Sequence, residues 1–307
     1  MASLDILNPF ELYTIPLDEW ITAAIDFVVD NFRPLFQVIS IPVGWLLEGI
    51  QAALLAVPPL ILLLLLSAIA WQLAGWRIGL FSLLALTGIG FIGAWEPSMV
   101  SLSLVITAVV FCILVGIPLG VACASSDRVE AIVRPCLDAM QTIPTFVYLV
   151  PVVMLFGIGE VPGVIATIVY ALPPLIRLTN LGIRQVPEDV VEATLAFGST
   201  PRQVLWEAQI PLAMPTILAG VNQTVLFALG MSVITAMIAV PGLGLMVLQG
   251  VGRLDVGLAA VGGLGIVVLA IVLDRITQAV GQAGGQMSWT EQGPIGWIWQ
   301  RRSRRRN

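Results

Sequence analysis

Five stretches of the chain are apolar along nearly their whole length. They are PPLILLLLLSAIAWQLAG (58–75), SLSLVITAVVFCILVGIPLGVACA (101–124), a segment at 139–159 with the core FVYLVPVVMLFGIG, TILAGVNQTVLFALGMSVITAMIA (216–239) and LAAVGGLGIVVLAIVL (258–273). Two weaker ones are IGLFSLLALTGIGFIGAW (78–95) and VPGVIATIVYALPPLIRL (161–178). A helix needs about 20 apolar residues to cross a bilayer. The two shortest cores reach that length only with their flanks. The pattern predicts an all-α integral membrane protein of about seven spans.

The first 57 residues are patterned differently. In PLDEWITAAIDFVVDNFR (16–33), Asp18, Thr22, Asp26 and Asp30 recur every fourth residue, with Trp20, Ile21, Ala24, Ile25, Val28 and Phe32 opposite. That is an amphipathic helix on the membrane surface or against the bundle. ISIPVGWLLEGIQAALLAV (39–57) is long enough to span, but Pro42, Glu48 and Gln51 interrupt it. If it crosses, the spans number eight and the N-terminus lies inside.

Charge orients the spans. All 14 basic residues are Arg. Placing the polar connector 185–212 in the cytoplasm and alternating outward puts twelve Arg inside and leaves only Arg33 and Arg253 outside. This is the bias that membrane insertion produces. Residues 1–57 then form an external region, 58–280 the membrane domain and 281–307 a cytoplasmic tail ending WQRRSRRRN. Such a tail fixes topology and can meet anionic headgroups.

Composition agrees. Charged residues make up 11% of the chain and hydrophobic ones 58%, against about 25% charge in a soluble domain. The chain has no His, so the commonest general base and metal ligand is missing. Cys112, Cys123 and Cys136 form neither a CxxC motif nor a disulfide framework. No basic start, short apolar run and small-residue site opens the chain, so no cleavable signal peptide is expected. No intramembrane catalytic set emerges.

The connector holds the strongest local signals. Pro187 starts one helix, with Glu188 and Asp189 favourably placed in its first turn, and Gly198 ends it. Thr200, Pro201 and Gln203 then form an N-cap, a first-turn proline and a capping box for a short second helix. Pro211 and Pro215 mark the return to the membrane. A helix, a turn and a second helix make either a docking surface or a hairpin with no partner.

VEATLAFGSTPRQVLWEAQIP (191–211) resembles the EAA motif of ABC importer permeases through Glu192, Ala193, Gly198 and the pair Ile210–Pro211, with Thr194 where the second Ala would stand. Longer strings (138–159, 197–225 and 236–281) are similar to the permeases of glycine betaine/proline-type osmoprotectant importers, and the likeness covers roughly residues 40–281. The resemblance implies the type I ABC importer fold in the cell inner membrane. It implies a second copy of the permease, two cytoplasmic ABC ATPase subunits and an external substrate-binding protein, with lipid around them and no nucleic acid. ATP and Mg would be held by the ATPase, since no GxxxxGK[ST] loop exists here. Choline or carnitine import by the same mechanism remains an alternative to glycine betaine or proline.

The same likeness assigns ATPase coupling to Glu192, Ala193, Gly198, Thr200, Pro201 and Arg202. For the solute path, Gln141, Phe146, Tyr148, Tyr170, Asn222, Gln223 and Phe227 are candidates. Aromatic faces suit a quaternary ammonium, and an amide inside a span serves either a pore or a helix–helix bond. Pro241, Gly242, Gly244, Arg253 and Asp255 are candidates for an external gate or a contact with the binding protein. A secondary transporter is the competing class, since broken spans suit it too. The EAA-like loop and the lack of an inverted repeat count against it.

Overall fold

The computed structural model describes residues 16–283. Every regular element among them is helical. They run α1 (Leu17–Ala56), α2 (Pro59–Ala74), α3 (Trp76–Phe91), α4 (Trp95–Ser125), α5 (Asp127–Thr142), α6 (Leu149–Phe156), α7 (Glu160–Arg184), α8 (Glu188–Ala196), α9 (Pro201–Gln203), α10 (Ile210–Thr235), α11 (Leu243–Gly252) and α12 (Val256–Ala283). Residues 1–15 and the tail beyond Ala283, where the sequence predicts a basic cytoplasmic segment, lie outside the described residues.

α7 is the axis of the bundle, packed between α4 and α10. Lipid offers apolar side chains as good a home as another helix does, so close fit has to hold such helices together. Small residues supply it. Gly116 and Gly120 of α4 face Leu172, Leu175, Ile176 and Thr179 of α7, and a Cβ on Gly120 would sit 2.5 Å from the Thr179 Cβ. Gly220 of α10 meets Leu175 and Leu178 from the other side. Thr224 donates to the Ala171 carbonyl at 3.2 Å. These pairs make α4 parallel and α10 antiparallel to α7. One end of the bundle therefore carries Ser125 and Arg184, and the other carries Trp95 and Glu160.

Among the described residues, five helices are long and apolar enough to cross a membrane, and α5 with α6 makes a sixth if the bent pair is one span. α2 and α3 have 16 residues each, about 24 Å at 1.5 Å per residue. They pack on each other as a hairpin. Its tip carries Trp71, Trp76 and Arg77, with the guanidinium 5.8 Å from the Trp76 ring centre. Such residues settle at a membrane interface.

Three features depart from the sequence pattern. First, Pro42, Glu48 and Gln51 do not interrupt α1, which is continuous over 40 residues. The segment Pro34–Ala56 meets the length and composition of a span. Its contacts, however, are spread along one end of the bundle. Phe36 touches Phe156, Gly44 faces Val161, and Leu54 and Val57 pack with the cluster of Leu62, Met99 and Leu102.

Second, the expected span 139–159 is broken. α5 and the segment Thr145–Phe156 meet at a bend of 107°. Pro144 causes it, because a residue before proline is pushed out of the helical region, and Ile143 has ψ of 129°.

Third, the second helix of the connector does not end before the membrane. α9 leads through a π-helical turn, Val204–Gln209, straight into α10. Pro211 has no N–H to give to the carbonyl four residues back and its ring crowds that group. The wider π turn accommodates it.

Candidate functional site: coupling surface and solute path

The connector folds as a compact exposed unit. Glu188 and Asp189 occupy the first turn of α8 after Pro187. At its other end, the Gly198 N–H donates to the Leu195 carbonyl at 2.9 Å and the Ser199 N–H to that of Thr194 at 3.3 Å. This paired closure needs a left-handed residue, and Gly198 has φ of +90°. The expected capping box is present. The Thr200 N–H donates to Gln203 Oε1 at 2.8 Å and the Gln203 N–H to Thr200 Oγ1 at 3.4 Å. Pro201 takes the first helical position.

Glu192, Ala193, Gly198, Thr200, Pro201 and Arg202 are all exposed on this unit. Beside them stand Leu195, Phe197 and Trp206, the last two 92% and 64% exposed. An aromatic pair so exposed, next to charges on a rigid turn, has the makeup of a docking surface. The sequence pattern did not single out Phe197 or Trp206, because an aromatic beside apolar residues reads as packing.

The path candidates divide into two groups. Tyr170 of α7 stacks on Phe227 of α10, with centroids 5.4 Å apart and planes at 28°. Tyr148 lies near Tyr170 and donates its hydroxyl to the Met140 carbonyl. Phe146 is exposed beside them in the short turn before α6. Gln141 accepts from Arg177 Nη1 at 2.7 Å, and Asp138 accepts from Arg177 Nη2 at 2.7 Å. These residues come from α5, the turn before α6, α7 and α10.

Asn222 belongs elsewhere. Its Nδ2 donates to Asp274 of α12 at 2.9 Å, and its Oδ1 accepts from Thr277. Asp274 also accepts from Gln278 at 2.7 Å. Asn222 thus joins α10 to α12. Gln223, one residue on, is exposed.

A second polar network ties α5 to the end of α7. Arg184 pairs with Asp127 at 2.7 Å and with Glu130 at 3.0 Å. It also donates to the Cys123 carbonyl at 2.9 Å. That carbonyl is among the last of α4, where a helix leaves acceptors unpaired.

The pattern found here recurs in known proteins. Residues 116–283 match the family described as binding-protein-dependent transport system inner membrane component. The chain is 57% identical over 295 residues to the Escherichia coli glycine betaine/proline betaine transport system permease protein ProW, covering 95% of this chain and 83% of that one. The chain belongs to this permease family. It is also 44% identical over 266 residues to the Bacillus subtilis glycine betaine permease OpuAB, covering 87% of this chain and 94% of that one. In fold it is similar to a chain of the MetNI methionine ABC transporter in an inward-facing form. The TM-score is 0.57 at 19% identity, over 66% of this chain and 98% of that one.

At the Trp95 end of the permease, the turn 241–244 is a packing element. Gly242 and Gly244 are buried. The Leu243 N–H donates to Ser101 Oγ of α4 at 2.8 Å, and a Cβ on Gly244 would collide with the Ser232 carbonyl oxygen at 2.0 Å. Pro241 is half-buried there. Arg253 and Asp255 lie on the exposed tip between α11 and α12. Asp255 Oδ1 accepts from the Leu258 N–H at 3.0 Å, capping α12. Leu254 between them is 88% exposed, so the tip presents an apolar side chain flanked by opposite charges.

Proposed function

We propose that this chain is the transmembrane subunit of an ATP-driven importer of glycine betaine, proline betaine or a related compatible solute. The observation that carries the proposal is the exposed, tightly capped connector, set in a chain so similar to glycine betaine permeases. Two copies form the pore. Two ATPase subunits, holding ATP and Mg, dock on the α8–α9 surface. An external binding protein delivers solute to the opposite end.

The connector and the Arg184 end then face the cytoplasm, and the C-terminus follows α12 to the same side. The Trp95 end is external. The position of α1 along that external end supports an external region over 1–57 and seven crossings: α2, α3, α4, the bent α5–α6 pair, α7, α10 and α12. The tip at Arg253 and Asp255 faces the binding protein.

The mechanical link follows from the helix that replaced the expected break. α9, the π turn, α10 and the short 3-10 turn Ala236–Ile238 after it form one continuous rod of 38 residues, Pro201–Ile238. A push on Pro201 and Arg202 by the ATPase therefore reaches the far end of the bundle without crossing a loop. α10 packs along α7 and α12, so its displacement shifts both neighbours. α8 and the Gly198 turn provide the second wall of the docking surface.

The test is retention of the ATPase. Phe197→Ser and Trp206→Ser should each cut the ATPase that co-purifies with the permease and the ATP-driven uptake of glycine betaine. Phe91→Ser, at an 89% exposed site on α3, should leave ATPase retention unchanged. Wild-type retention and uptake in both connector variants would sink the proposal.

A further inference from the structure

α7 places a ring and a guanidinium on one side of the bundle. Tyr170 and Arg177 are seven residues apart, about two turns, so both project from the same face. Tyr170 is stacked on Phe227. Tyr148 lies near Tyr170 and reaches the Met140 carbonyl at the end of α5. The next residue, Gln141, binds Arg177. An aromatic ladder of Phe227, Tyr170 and Tyr148 thus leads toward the cleft that Arg177 lines with Arg134 and Arg184.

Arg177 is not part of the packed core. Its side chain is 41% exposed and that of its partner Asp138 56%. A cleft of about 380 Å³ opens beside them between α5 and α7, within the range of small-molecule sites. A guanidinium inside a membrane domain is costly without a partner, and Asp138 and Gln141 supply one in a cleft that Arg134 and Arg184 also line. An exposed ion pair is nevertheless weak, so Asp138 can be exchanged for another carboxylate.

We propose that Arg177 receives the carboxylate of a zwitterionic solute as it leaves the rings, displacing Asp138. The solute class is a quaternary ammonium carboxylate. Its ammonium has no N–H to donate and is held by the faces of Tyr148, Tyr170 and Phe227 through cation–π attraction. Its carboxylate matches the planar fork of Arg, which takes two oxygens at once. Asp138 and Gln141 hold the guanidinium when no solute is present and take it back afterwards. Arg177 thereby favours solutes that carry both charges over a bare quaternary amine. This inference rests on the permease function proposed above.

The experiment uses the full importer (permease, ATPase and binding protein) in liposomes, with radiolabelled glycine betaine and parallel measurement of ATP hydrolysis. Apparent affinity is set by the binding protein and should not move. Arg177→Gln should lower solute imported per ATP about tenfold, the size of a lost charged hydrogen bond, with ATP hydrolysis retained. Arg177→Lys should fall between, keeping charge without the fork. Asp138→Asn, which removes the competing carboxylate but keeps a hydrogen-bond acceptor for Arg177, should lower import per ATP less than Arg177→Gln does. Equal losses in Arg177→Gln and Asp138→Asn, with ATP hydrolysis lost alongside, would make the pair a structural cross-link and overturn the inference. Unchanged import per ATP in Arg177→Gln would overturn it as well. Absence of ATP-driven uptake by the wild-type importer would overturn the permease function itself.

Discussion

Gly198 sets the geometry of the connector turn, and its replacement has a calculable cost. Its φ is +90°, and a Cβ built there meets no atom within 4 Å. Space is therefore not the obstacle. The backbone is, because an L-residue in the left-handed region costs about 1–2 kcal/mol. Two hydrogen bonds that close α8, from Gly198 and Ser199, depend on that conformation. A penalty of about 1–2 kcal/mol lowers the population of the formed turn by about 5- to 30-fold wherever the turn is only marginally stable. If the ATPase grips the formed turn, Gly198→Ala should reduce ATP-driven glycine betaine uptake toward that extent. Gly198→Asn should lose less, since Asn tolerates the left-handed region. Gly198→Val should lose more, because a β-branched residue fits there worst. The assay is uptake by the importer in liposomes, with ATPase bound per permease measured on the same preparation. Wild-type uptake by Gly198→Val would refute the idea that the turn must hold this shape to transmit motion.

Two further predictions concern the bundle. Gly120→Ala should lower the melting temperature in detergent, because overpacking of about 1–3 kcal/mol against Thr179 outweighs a helix-propensity gain of about 1 kcal/mol. Gly88→Ala, at a helical site with nothing within 4 Å, should keep that gain, and tryptophan fluorescence during heating compares the two. If Gly120→Ala melts at or above Gly88→Ala, the α4–α7 contact is not tight. Asn222→Leu should destabilise by about 1.5 kcal/mol, the low end for a hydrogen bond to a charged group because the pair is only half-buried. The double variant Asn222→Leu, Asp274→Leu should recover most of the loss, and a double-mutant cycle measures the coupling. Additive losses would show that the two side chains do not depend on each other.

Much of the connector's fold was legible because its signals are local. Thr200, Pro201 and Gln203 specify a cap within four residues, and Gly198 immediately before that cap marks a turn. The same locality misled at Pro42 and Pro211. A proline counts as a break in a sequence pattern, yet α1 continues through one and the π turn before α10 absorbs the other. Gly242 and Gly244 read from the sequence as candidates for an external gate or a contact with the binding protein, and only the fold shows that contacts with Ser101 and Ser232 bury them. Asn222 left open a choice between pore and helix contact, and the choice turned on Asp274, 52 residues away.

The sequence by itself determined the positions of the apolar segments, the all-helical class and the fold of the connector. Each of those depends on sums or spacings over a few neighbouring residues. Tertiary structure alone decided that α1 lies along one end of the bundle, that α5 and α6 bend apart, and that Arg177 meets Asp138 and Gln141 below an aromatic ladder. In lipid, hydrophobicity says that a helix is buried in the membrane but not which face meets which neighbour. Helix rotation and register are set by shape, through contacts such as Gly120 on Thr179. Only the assembled bundle contains that information.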